Sequence, residues 1–131
     1  MRTNENSPAD WLRSARIRLH SADLLHPLEG ANESVIELLQ EAAERFLKAY
    51  LINRGWRLRR IHDLGALVAE SVAMDARFTA FEDFADSLTD QFWAQQYPGG
   101  DLTEVGHDSP ALRRSLEEMV NLIEAELVPH S

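Results

Sequence analysis

The sequence contains no cysteine, a single lysine, and no apolar run long enough to cross a membrane. Without cysteine, the chain has no disulfides, thiolate zinc sites or cysteine nucleophiles, which also fits a reducing compartment. A membrane helix needs roughly 20 consecutive apolar residues. The polar start Met-Arg-Thr-Asn-Glu-Asn has no apolar run behind it, unlike a secretory signal. We therefore expect a cytoplasmic protein with no membrane contact.

Several catalytic and binding motifs are also missing. The sequence has no phosphate loop, no Gly-x-Gly-x-x-Gly and no His-Glu-x-x-His. Its five histidines are scattered: His20, His26, His62, His107 and His130. Two of them precede an aspartate, but adjacent residues on a helix do not face one site. We expect no metal ion and no cofactor.

The composition is that of one small globular domain. The chain has 131 residues, of which 44% are hydrophobic and 27% charged, enough for one core and too few for two. The formal net charge is −9. Proteins that bind duplexes broadly present a large basic face to the phosphates, so this charge argues against that function. It leaves room for one small basic site.

Helical periodicity runs through the chain, and no useful stretch alternates with a period of two. Ser7-Pro8 and Ser109-Pro110 are helix-start signals, and Gly55 is the residue type that commonly follows the end of a helix. The predicted helices cover residues 8–26, about 32–53, about 63–73, about 75–94, and 109 onward. We predict an all-α antiparallel bundle of four long helices and one short one at 7–128, with tails at 1–6 and 129–131.

Gln40, Glu44 and Lys48 form a polar stripe at helical spacing on the second predicted helix. We expect this stripe to face solvent or a second copy of the chain, with Glu44 and Lys48 as a surface ion pair. Lys48 lies about 10 Å before Gly55 along the helix, so its side chain alone would not reach the next loop.

That loop gathers basic residues in an acidic protein. The arginine loop, residues 54–62, contains Arg54, Arg57, Arg59 and Arg60 and ends at His62. Guanidinium groups bind phosphate oxygens in pairs, and the start of a helix offers free N–H groups. We predict a nucleotide or phosphate site formed by Arg57, Arg59, Arg60, His62 and Trp56. A solvated loop that neutralises carboxylates is the alternative.

Individual residues of the loop have structural interpretations too. Asp63 suits the cap of the next helix, and His62 could hydrogen bond locally to hold the loop. The functional interpretation makes His62 a base or a phosphate ligand. Trp56 could stack a base, but a half-buried anchor for the loop is the stronger expectation.

The block LLQEAAERFLKAYLINRG (38–55), followed by His62-Asp63-Leu64, resembles HEPN domains (higher eukaryote and prokaryote nucleotide-binding). Trp11 with Ala15, and Tyr97 with Pro98, extend the likeness over most of the chain. The resemblance implies a prokaryotic all-α protein, frequently a homodimer, often encoded beside a minimal nucleotidyltransferase. It implies a module that binds nucleotide or substrate for that partner, or a member of a toxin–antitoxin pair.

Many toxins of this family are metal-independent ribonucleases with an Arg-x4–6-His motif near the last helix. Here Gln96 stands where relatives have arginine before the Tyr-Pro, and no arginine lies between Arg77 and Arg113. Two matches lie elsewhere, Arg57 to His62 and Arg13 to His20, about as many as chance gives. We therefore predict a non-catalytic binding module. An endoribonuclease using Arg57 and His62, and a dimeric protein-interaction module, are the alternatives.

Overall fold

The computed structural model describes residues 2–96, 98–103 and 105–127. Within these ranges the chain forms α1 (Pro8–Leu25), α2 (Asn32–Asn53), α3 (Leu64–Met74), α4 (Glu82–Gln96) and α5 (Ser109–Leu127), with a 3-10 turn at Ala76–Phe81. The described part contains no strand, which confirms the all-α prediction. None of its helices has the length and hydrophobicity of a membrane span.

The helix ends follow the capping residues. The Ser7 hydroxyl accepts a hydrogen bond from the Asp10 amide at 3.3 Å, with Pro8 in the first turn. The Asp63 carboxylate accepts the amide of Gly65 at 2.8 Å. Gly55 follows α2 at φ +89, a backbone conformation that glycine adopts without strain. These three signals set the bounds of α1, α2 and α3 within a residue or two of prediction.

The predicted fourth helix is interrupted. Asp75 has extended backbone, and its carboxylate accepts the Arg77 amide at 3.0 Å. A 3-10 turn follows before α4 begins at Glu82. Phe78 and Phe81 are buried from the 3-10 turn. Their spacing of three suits both helix types, so the apolar period could not reveal the break.

The second helix lies at the centre of the bundle and packs against α1, α3, α4 and α5. Small residues ease the approach of α1, whose buried positions are Ala15 and Ala22. Phe46 and Tyr50 on α2 are fully buried, and the Tyr50 ring lies 4.6 Å from that of Phe78. Nearly every side of α2 is therefore covered by protein.

The segment before α5 is fixed to two other helices. Gly106 has φ +77, and a Cβ there would lie 2.7 Å from Cβ of Asn32, at the start of α2. On α4, Gln91 accepts the Gly106 amide at 2.9 Å and donates to Asp108 at 2.6 Å. This arrangement places the N-terminus of α5 beside that of α2.

The predicted domain limits of 7–128 and the tails remain predictions, since 129–131 lie outside the described residues. At the N-terminal side, the Asn4 amide donates to Asp10 at 2.7 Å. The Trp11 indole donates to the Glu5 carbonyl at 2.7 Å. Residues 4 and 5 thus lie against the first turns of α1. Tyr97, singled out in the Tyr-Pro pair, also lies outside the described residues.

Candidate functional site

The polar stripe of α2 is buried within a single chain, and the expectation that it faces solvent or a second copy was wrong. Gln40, Glu44 and Lys48 are 6%, 8% and 3% exposed. Neighbouring helices cover this side of α2, and the charges are compensated locally. The Lys48 Nζ lies 3.0 Å from Glu44 Oε1 and 5.2 Å from the centre of the Trp11 ring. A buried ion pair with a cation–π contact replaces the predicted surface pair.

His62 joins this buried pair from the end of the arginine loop. Its Nδ1 lies 2.5 Å from Glu44 Oε1, the same oxygen that Lys48 contacts. The imidazole side chain is nevertheless 78% exposed. The bond to Glu44 orients the ring and leaves its other nitrogen, Nε2, away from the carboxylate. Lys48 is therefore connected to the arginine loop through the shared Glu44 carboxylate. His62 was expected to hydrogen bond within its loop, but it contacts Glu44 of α2 instead.

A cleft of about 310 Å³ opens beside this group, between α2, α4 and the end of the loop. Its volume is at the small end of ligand sites, enough for one ring system. The lining combines aromatic rings, acids and neutral polar groups: Gln40, Glu41, Glu44, His62, Asp63, Thr89, Phe92 and Trp93. The Phe92 and Trp93 rings meet edge to face, 5.6 Å apart.

Hydrogen-bond acceptors outnumber donors in this cleft. Gln40 Oε1, an acceptor, and Thr89 Oγ1, a hydroxyl that can accept or donate, are buried and have no hydrogen-bond partner among the described residues. Glu41 and Glu44 add carboxylates, and the only nearby ammonium, Lys48, is already bound to Glu44. A buried acceptor without a partner carries a desolvation cost that a donor from a ligand would relieve. The cleft thus suits a flat molecule with N–H donors better than a phosphate.

The arginine loop has an inner and an outer side. Trp56 is buried, while Leu58 and Ile61 are half-buried against the core. The Trp56 amide also donates to the Leu51 carbonyl at 2.9 Å. Arg57 and Arg60, between these anchors, are exposed. Alternation of apolar and basic residues therefore fixes the loop and turns its arginines outward.

Two of the four arginines of the loop have acidic partners, and the other two have none among the described residues. Arg59 forms an ion pair with Glu70 and lies over the Trp56 ring at 5.5 Å. Arg54 lies 4.0 Å from Glu126. No hydrogen bond or ion pair joins Arg57 or Arg60 to a described residue. The neutralising role explains Arg54 and Arg59, and leaves Arg57 and Arg60 without an explanation inside the fold.

Comparison with models of known protein families identifies the family of this chain. The model of the HEPN domain matches residues 8–127. The chain belongs to the HEPN family. Searches of curated proteins and of solved structures returned no match. HEPN membership covers all five helices and supports a nucleotide- or RNA-related role for the module.

The HEPN ribonuclease pattern has no assembled counterpart in the described residues. Gln96 ends α4 and is exposed, and His107 is exposed in the segment before α5. His62 contacts Glu44, and no hydrogen bond joins it to Arg57 in the described ranges. Within those ranges no group of three His, Cys, Asp or Glu side chains could hold a metal ion. The motif residues Arg57 and His62 share a loop, but among the described residues no hydrogen bond joins them.

Proposed function

We propose that this HEPN protein is a non-catalytic module that binds a nucleotide, with the base in the cleft and the phosphate near His62. The observation that supports this most is the buried, unpartnered Gln40 Oε1 in a cleft walled by Phe92 and Trp93. An aromatic wall and an acceptor without a partner are what a nucleobase requires for stacking and for hydrogen bonding.

The acceptors in the cleft favour bases that carry an amino group. Adenine, cytosine and guanine each have an exocyclic NH2, and uracil has a carbonyl in its place. That carbonyl would approach Gln40 Oε1 and the Glu41 carboxylate, which carry no hydrogen to donate to it. A site that hydrogen bonds to a polar group discriminates strongly against ligands that lack it.

The phosphate would meet the arginines that have no partner in the described residues. Arg60 is two residues before His62, so their Cα atoms lie within about 7 Å of each other. The acidic cleft repels a phosphate, and the cationic side chains of Arg57 and Arg60 attract it. This division explains why an acidic cleft and a basic loop occur side by side.

The wider setting is part of the proposal. The HEPN resemblance supports a homodimer that presents its nucleotide to a minimal nucleotidyltransferase, in some cases within a toxin–antitoxin pair. Arg57 and Arg60 would also suit an acidic surface of that partner. Co-expression and co-purification with a nucleotidyltransferase from the same source would test this partnership.

The test of the base site uses Trp93 as the reporter. The chain has three tryptophans, so a proton–nitrogen NMR spectrum shows three indole signals, assigned by changing each to phenylalanine. We expect AMP and CMP to shift the Trp93 signal and UMP to bind at least about tenfold more weakly. Gln40→Met removes the acceptor at similar volume and should abolish the difference between AMP and UMP. Equal binding of all three by the unaltered protein would contradict the proposal.

The test of the phosphate site compares charge-matched variants. The double variant Arg57→Ala/Arg60→Ala should weaken AMP binding and leave adenosine binding unchanged. Arg2→Ala/Arg114→Ala removes the same charge from two other exposed positions and should leave both unchanged. If the two double variants weaken AMP binding equally, the effect is one of net charge, and the loop is no phosphate site.

The carboxylate-held His62 favours a second candidate, a metal-independent endoribonuclease. In many enzymes a carboxylate bound to Nδ1 orients a histidine, whose other ring nitrogen is then free to act as the general base. Arg57 would have to stabilise the charged transition state from the same loop. No hydrogen bond joins these two residues in the described structure, which makes this the second candidate.

Cleavage of a labelled RNA pool in EDTA separates the two candidates. The binding module predicts no cleavage by the unaltered protein or by Arg57→Ala/His62→Ala. Cleavage by the unaltered protein that is lost in this variant would establish the ribonuclease. Absence of both cleavage and nucleotide binding would leave the dimeric protein-interaction module.

A further inference from the structure

A second cavity lies beside α1, and the arginine loop contributes no residue to it. It has a volume of about 350 Å³ and lies between α1, the N-terminal residues 3–5 and one side chain of α2. Three arginines line it: Arg13, Arg18 and Arg45. Nothing in the sequence pattern or in the HEPN resemblance singled out this group.

Two of these guanidinium groups share one hydroxyl. Arg18 donates to Ser14 Oγ from one terminal nitrogen at 3.0 Å, and Arg45 Nε donates to the same oxygen at 3.0 Å. Arg18 and Arg45 also donate to the backbone carbonyls of Ser14 and Glu41. Two cations are therefore held side by side by neutral groups.

Carboxylates approach this pair but do not hydrogen bond to it. Glu41 Oε1 lies 4.0 Å from Arg18 Nε and 3.9 Å from Arg45, and Glu44 lies 4.0 Å from Arg45. Arg18 Nε is buried with no hydrogen-bond partner among the described residues. Each guanidinium has five N–H donors, and both retain donors that no described acceptor uses.

The positive charge at Arg45 is not fully compensated. Burial lowers the pKa of Arg45, and the neighbouring Arg18 lowers it further, against the opposing effect of Glu41 and Glu44. Acidic residues line the cavity too: the Asp10 carboxylate accepts the Asn4 amide, and Glu5 accepts the Trp11 indole through its backbone carbonyl. The arginines supply N–H donors in this cavity that no described acceptor uses, including the buried Arg18 Nε.

The rest of the lining is apolar and aromatic. Trp11 is half-buried, and Ile17 is one of the few large apolar side chains that are exposed, at 47%. Arg13 is exposed at the same cavity and has no hydrogen bond or ion pair to a described residue. A ligand that fits has an anionic head with several acceptors and a small apolar or ring-shaped body.

We propose that this cavity binds a phosphomonoester, with the phosphate on Arg13, Arg18, Arg45 and the Ser14 hydroxyl, and the organic body on Trp11 and Ile17. The two adjacent guanidinium groups share one acceptor, the Ser14 hydroxyl, and keep several N–H donors unused. A phosphate has enough oxygens to accept from several of these N–H groups at once. The site is separate from the cleft and does not depend on the nucleotide proposed there.

The experiment titrates phenyl phosphate and inorganic phosphate into the full chain and follows the three indole NMR signals. Phenyl phosphate should shift the Trp11 signal, bind more tightly than inorganic phosphate, and leave the Trp56 signal in place. Arg13 has no hydrogen bond or ion pair to a described residue, so Arg13→Ala removes no internal contact of this kind. It should weaken phenyl phosphate binding about tenfold, the loss expected for one charge-assisted contact. Arg114→Ala, equally exposed on α5, is the charge-matched control and should bind as the unaltered protein does.

Three results would overturn the proposal: no shift of Trp11, equal weakening by Arg13→Ala and Arg114→Ala, or inorganic phosphate binding as tightly as phenyl phosphate. Arg18→Gln provides a second variant that keeps hydrogen-bonding groups and removes the charge; it too must weaken binding. The Arg57→Ala/Arg60→Ala variant should bind phenyl phosphate normally. Loss of binding in that variant alone would assign the phosphate to the arginine loop and reject this cavity.

Discussion

Replacing Glu44 by glutamine should destabilise the protein far more than replacing its partner Lys48 by methionine. Among the described residues, Glu44 is the only carboxylate within hydrogen-bond distance of Lys48, whose side chain is 4% exposed. Glu44→Gln therefore leaves an ammonium group buried without a counter-charge. Lys48→Met leaves Glu44 with His62 and keeps an apolar chain against Trp11.

The expected magnitudes follow from the cost of an unpaired buried charge. Removing one partner of a buried ion pair costs about 3–5 kcal/mol, so Glu44→Gln should lower the free energy of unfolding by about 3 kcal/mol. Lys48→Met should cost about 1–2 kcal/mol, because the Glu44 carboxylate keeps its hydrogen bond to His62 and so is not left without a partner. The double variant contains neither charge and should cost only about 1 kcal/mol, because neutral replacements of buried pairs are well tolerated.

Urea unfolding followed by circular dichroism at 222 nm measures all four proteins. A 131-residue domain unfolds as one unit in the simplest case, and Glu44→Gln should lower the thermal midpoint by about 10 °C. His62→Ala is the control for the exposed end of the network. Its ring is 78% exposed, so its loss should cost less than about 1 kcal/mol.

The double-mutant cycle decides whether the reasoning holds. The pair predicts a coupling energy of about 3 kcal/mol between Glu44 and Lys48. If the cost of the double variant equals the sum of the single costs within about 0.5 kcal/mol, the two charges do not depend on each other. The buried stripe would then be stabilised by packing alone, and the account of its electrostatics would be refuted.

Three other measurements check the fold. Asp63→Ala removes the cap of α3 and should cost about 1 kcal/mol of unfolding free energy in urea. Gly106→Ala should cost about 2 kcal/mol or more, because a Cβ there meets the start of α2; Gly30→Ala, with a positive φ but nothing within 4 Å, should cost less. Arg77 lowers the pKa of Asp75 through hydrogen bonds. The stability that Asp75 contributes is therefore present above its ordinary pKa of 3.8 and is lost as the pH falls below it. The difference between the protein and Asp75→Asn should shrink below about pH 4 in acid titrations of unfolding.

The fold was largely predictable because its signals are local. Ser7, Asp63 and Gly55 end or begin helices through contacts within a few residues, which spacing along the chain displays directly. The break at Asp75 was missed because Phe78 and Phe81 keep an apolar spacing common to α and 3-10 helices. Local hydrogen bonding by one aspartate, without any change in the apolar pattern, ended the helix.

The site was predictable only in part because its contacts are distant in sequence. The arginine loop and His62 were identified by composition, but the bond from His62 to Glu44 joins residues 18 positions apart. The wide apolar face of α2 was visible, and the burial of Gln40 and Glu44 beside it was not. The cavity at Arg18 and Arg45 depends on Ser14 lying 31 residues before Arg45, a relation that no spacing rule reveals.

The continuous row from Trp11 through Lys48 and Glu44 to His62 joins the wall of one cavity to the mouth of the other. Glu44 and Arg45 are consecutive residues of α2, one lining the cleft and one lining the arginine cavity. Ligands bound at the two proposed sites would obey thermodynamic reciprocity. Whatever factor phenyl phosphate imposes on the affinity for AMP, AMP must impose on the affinity for phenyl phosphate.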